Sequence, residues 1–144
     1  MTFWLLALAA LMFGLYNVFI KVSSDHINPV LGAVVLQLVA AVVGLGLLGH
    51  LAMRSGEALQ VSSRGLFLAA CAGVAIGLVE ILTFAIYGRG LPVAVGNPLI
   101  IGGSLLVTTL VGILLLRELV NPLQLFAIAL IGAGVGLLAL AAAR

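Results

Sequence analysis

Apolar residues run along this chain in blocks of about twenty, separated by short polar or Pro/Gly-containing breaks. The breaks are Ser23-Ser24-Asp25-His26 with Asn28-Pro29, residues 54–64, Gly88-Arg89-Gly90-Leu91-Pro92, and Arg117-Glu118 with Asn121-Pro122. Cutting there predicts five helical spans, over residues 3–22, 30–53, 65–87, 93–116 and 123–143. Each can cross a hydrocarbon layer of roughly 30 Å at about 1.5 Å per residue. The expected fold class is therefore an all-α integral membrane protein. Short connections make successive helices antiparallel. No segment repeats another, so residues 1–144 read as a single transmembrane domain.

Composition removes other classes. Hydrophobic residues make up 65% of the chain and charged residues 7%, against roughly 25% charged in soluble domains. The six basic side chains face four acids and are scattered singly, so there is no patch for phosphate and no nucleic-acid partner is expected. The single cysteine, Cys71, lies inside an apolar run with no Cys or His at metal-ligand spacing, and it reads as packing. His26 and His50 fall at helix ends, far apart, and receive no role. With no Ser/His/Asp set, metal cluster or phosphate loop, neither an enzyme nor a cofactor or metal is expected. The apolar start could pass for a signal peptide. However, no Lys or Arg precedes it and the run continues to Val22, which predicts a retained helix.

Charge also bears on orientation. An odd number of spans puts the ends on opposite faces, here side A for Met1 and side B for Arg144. Side A receives Arg54, Arg64 and Arg117, and side B receives Lys21, Arg89 and Arg144, three against three. Because Lys/Arg asymmetry sets orientation, dual insertion is the natural reading. The alternative is that the amino terminus or a snorkelling Lys21 selects one orientation.

Polar groups inside lipid are costly and mark cavities or partner helices. Glu80 is the one acid well inside a span, about seven residues or roughly 10 Å from side B. It shares a helix face with Gly73, Gly77, Thr83, Phe84 and Tyr87, and the Gly73/Gly77 spacing is a close-packing signature. In the first span Ala10, Gly14, Asn17 and Lys21 share a face, with Asn17 at nearly the depth of Glu80. Gln37 and Asn97 add polar groups to the same half. The expected substrate- or proton-binding set is thus Glu80, Asn17, Gln37, Asn97, Lys21 and Tyr87. The other half offers Ser104, Thr108 and Thr109, whose hydroxyls can satisfy carbonyls of their own helix.

Pro98 cannot donate to the Ala94 carbonyl and, beside Gly96, predicts a kink. Gly132 and Gly136, flanked by Ala129 and Ala133, form a smooth face for packing within the protomer or across a dimer seam.

Blander readings stand beside these. Glu80 can be a structural acid held by Asn or Tyr, and Asn17, Gln37 and Asn97 can be interhelical glue. Lys21 can snorkel to the interface or pair with Glu80. Trp4, Tyr16 and Tyr87 near span ends read as interfacial belt anchors. Glu118 beside Arg117 reads as a cap or local pair.

Phe13-Gly14-Leu15-Tyr16-Asn17-Val18-Phe19-Ile20-Lys21 resembles the opening helix of the EamA-like branch of the drug/metabolite transporter superfamily. The resemblance continues through Leu91-Pro92-Val93-Ala94 and Pro98 into Leu114-Leu115-Leu116-Arg117-Glu118, and closes with Gln124, Gly132, Gly134 and Gly136. The chain departs from the family's pattern at Phe13, where Trp is frequent, and at Gln37, where a basic residue is frequent. The resemblance implies one five-helix repeat of a fold that commonly carries two in inverted orientation. It also implies a half-size transporter of a small-molecule substrate, seated in a prokaryotic cell membrane. Such a half would work as an antiparallel homodimer or pair with a similar half. The rival expectations are a lipid-linked-sugar flippase and a non-transporting assembly subunit.

Overall fold

The computed structural model describes residues 3–55 and 61–142. All of its regular structure is helical: α1 (Phe3–Ser24), α2 (Pro29–Ser55), α3 (Ser63–Gly88), α4 (Val93–Leu114) and α5 (Pro122–Ala142). All five helices are long and apolar enough to cross a membrane. The protein is an all-α chain built for lipid. The predicted last residue of the fifth span, Ala143, lies outside the described residues.

The helix ends follow from local chemistry. Ser23 and Ser24 were expected to break α1 but extend it, because their hydroxyls donate to Phe19, Ile20 and Lys21 carbonyls of the same helix. Asn28 accepts the Val30 N–H through its side chain, with Pro29 filling the first helical position of α2. Ser62 caps α3 by accepting the Gly65 N–H at 3.0 Å. Asn121 and Gln124 exchange side-chain and backbone bonds at the start of α5, a reciprocal capping box.

The fourth span ends earlier than its apolar run predicts, at Leu114 where residue 116 was expected. Arg117 takes a left-handed conformation with φ 55°, and this reverses the chain so that the Glu118 N–H returns to the Gly112 carbonyl at 2.9 Å. Where the helix stops, Leu116 no longer donates to Gly112, and the returning Glu118 N–H satisfies that carbonyl instead.

The helices form two compact units, α1–α3 and α4–α5. In the first, α3 packs on both α1 and α2, and Phe84 lies against the backbone of Gly32, where an added Cβ would meet its ring at 2.7 Å. In the second, α4 and α5 pack together with Val135 seated on Gly102 so closely that a Cβ there would overlap it. The expected packing glycines divide. Gly77 receives the Gln37 amide and Gly132 touches Leu106, whereas Gly73 and Gly136 face open space. Cys71 is exposed and does not pack. It lies nine residues from Glu80, and at about 100° per residue that is the opposite face of α3.

Candidate functional site

The first unit buries little, and what it buries is polar to an unusual degree. Four of its eight buried non-glycine residues are Asn17, Ser24, Glu80 and Thr83; the others are Ile20, Ala33, Phe84 and Tyr87. Glu80, Thr83, Phe84 and Tyr87 recur at helical spacing, and that face of α3 turns inward. Around it nearly every large apolar side chain is exposed, as a lipid solvent permits.

Glu80 is 2% exposed. The Tyr16 hydroxyl donates to its Oε1, and the Tyr16 ring is steadied by Phe13, stacked at 5.4 Å one turn back. Glu80 Oε2 has no partner, and neither does the hydroxyl of Tyr87, which is fully buried. Two polar atoms without partners in one small core are costly, roughly 1–3 kcal/mol each. No ion pair to Glu80 occurs among the described residues, where the recorded pair is Lys21 with Asp25 at 3.7 Å.

The remaining expected residues take these places. Lys21 does not reach Glu80; its Nζ donates to the Tyr87 carbonyl at 2.9 Å, so it ties α1 to the last turn of α3. Asn17 is buried beside the site but donates to its own helix at Phe13. Gln37 is half-buried against Gly77. Asn97 is half-buried in the second unit, where α4 runs unbroken through Pro98. Thr83, Ser104 and Thr108 all donate to carbonyls of their own helices.

Tyr16 is the residue missed in the sequence, where it read as an interfacial anchor. A depth count finds it. Tyr16 and Glu80 each lie eight residues before the last residue of their helices, which puts both about 12 Å from the ends. No family model, curated protein or solved structure matches the chain.

Proposed function

We propose that the chain is a half-size secondary transporter that exports a small cationic or amphipathic compound, with Glu80 as the site that exchanges a proton for the cation. One observation carries this reading: a buried carboxyl with one oxygen held by a tyrosine hydroxyl, the other without a partner, and no ion pair among the described residues. Such a group is neutralised by either a proton or a cationic ligand, and the two compete. Lys21 is engaged at the Tyr87 carbonyl, and the titratable groups of α2, His50 and Arg54, sit in its distal part. The carboxyl is therefore left for a ligand.

The resemblance to a single drug/metabolite-transporter repeat and the balanced basic count support a working unit of two copies inserted in opposite orientations. An antiparallel homodimer would then place two Glu80 sites around one pathway.

Reconstituted flux decides the matter. Cation binding is expected to weaken about tenfold per pH unit once protons occupy the carboxyl. Glu80→Gln is expected to abolish both the pH dependence and most of the binding, whereas Lys21→Met retains both. A Glu80→Gln protein that still moves substrate with the wild-type pH profile would move the coupling group elsewhere.

A further inference from the structure

Between α1 and α2 of the first unit lies an open groove of about 770 Å³, within the roughly 300–1,000 Å³ of small-molecule sites. Its walls are mostly apolar, with Phe19, Ile20, Val35, Leu36 and Phe84 among them beside the polar Ser23 and His26, and Tyr16 stands in the same wall. One phenol thus lines the groove and covers the buried carboxyl.

We propose that this groove is the subsite for the apolar tail of a cationic amphiphile, whose ammonium reaches Glu80 by displacing the Tyr16 hydroxyl. The proposal rests on the reading of Glu80 as a cation site. Charge complementarity selects the occupant. A purely apolar chain would fill the groove and leave Glu80 Oε2 without a partner. Once it has displaced the Tyr16 hydroxyl, an ammonium donates to Oε1 and to the unpartnered Oε2. An alkylammonium satisfies the carboxylate and the apolar wall together. Tyr16 is accordingly a positioning residue: it holds the carboxylate while the site is empty and yields when the ligand arrives.

The test uses the full chain in lipid nanodiscs, with methylammonium and n-decylammonium as probes and binding measured calorimetrically. Partition of the longer probe into lipid is common to all variants, so it cancels when each variant is referred to the wild type. Leu15→Trp and Val35→Trp each push bulk into the groove from its rim. Each is expected to lower the decylammonium-to-methylammonium affinity ratio about tenfold, and if one does not yield monodisperse protein the other decides. An unchanged ratio in the variants overturns the groove. Tyr16→Phe is expected to tighten both probes about tenfold, because the competing donor is gone. Weaker binding would make Tyr16 part of the ligand's own coordination and overturn displacement. Glu80→Gln separates the two levels. If it binds both probes like the wild type, the cation-site reading itself fails; if binding is lost while the chain-length ratio ignores the groove variants, only the tail subsite fails.

Discussion

At the scale of single residues, the molecule's interior is decided by a few polar atoms. Inside lipid a side chain gains little by leaving one apolar solvent for another, so the Tyr16–Glu80 bond and the Lys21 bond to the Tyr87 carbonyl hold α1 to α3. Tyr16→Phe is expected to lower stability by about 1–3 kcal/mol, because it leaves both oxygens of Glu80 without partners. Thermal unfolding in detergent measures this, and adding Glu80→Gln to Tyr16→Phe should recover part of the loss if the two groups are coupled. Arg117 is the other residue with a stored cost, since a left-handed backbone penalises any Cβ by about 1 kcal/mol. Arg117→Gly should therefore raise the unfolding temperature, and a lower one would show that the guanidinium contributes more than the strain removes. Glu80 was legible as a lone acid in an apolar span. Its partner was not, because an aromatic near a span end has the same sequence signature whether it faces headgroups or a carboxyl.

The elements themselves were legible from length and composition, and two of their starts from Asn28-Pro29 and Asn121-Pro122, whereas the Ser62 cap that starts α3 at Ser63 was not. The end of α4 was not, since the apolar run continues past Leu114 and hydrophobicity does not encode where a carbonyl is recaptured. Packing glycines were only partly legible for a related reason: small residues mark a smooth face, but what lies opposite depends on the partner helix. Gly102, not Gly136, takes the closest approach in the second unit. Gly102→Ala is expected to force α4 and α5 apart at Val135 and cost about 1–3 kcal/mol, whereas Gly136→Ala, facing open space, should be neutral or mildly stabilising. Comparing the unfolding of the two variants in detergent checks the assignment. Pro98→Ala should leave the protein folded and return a donor to the Ala94 carbonyl. Unaltered transport kinetics in that variant would make Pro98 a passive feature of α4.

For the molecule as a whole, five apolar helices establish what it is built to live in, while orientation rests on a handful of charges. With basic residues balanced between the two faces, reporters fused at Arg144 are expected to be active on both sides of the membrane, and a single strongly preferred side would defeat dual insertion. Two lysines added on side A should impose one orientation and reduce flux until an oppositely biased copy is co-expressed. The outward position of Cys71 offers a direct view of the same question. It is the only cysteine in the chain and is exposed, so one nitroxide can be attached without engineering. It stands eight residues into the 26-residue α3, about 12 Å along a helix of about 39 Å, and so about 7 Å off the middle. Two labels in a parallel pair would share one depth; in an antiparallel pair they would lie at depths about 15 Å apart. A water-soluble metal chelate sealed on one side of the membrane would then relax the two labels of an antiparallel pair unequally and those of a parallel pair alike, from an unmodified sequence.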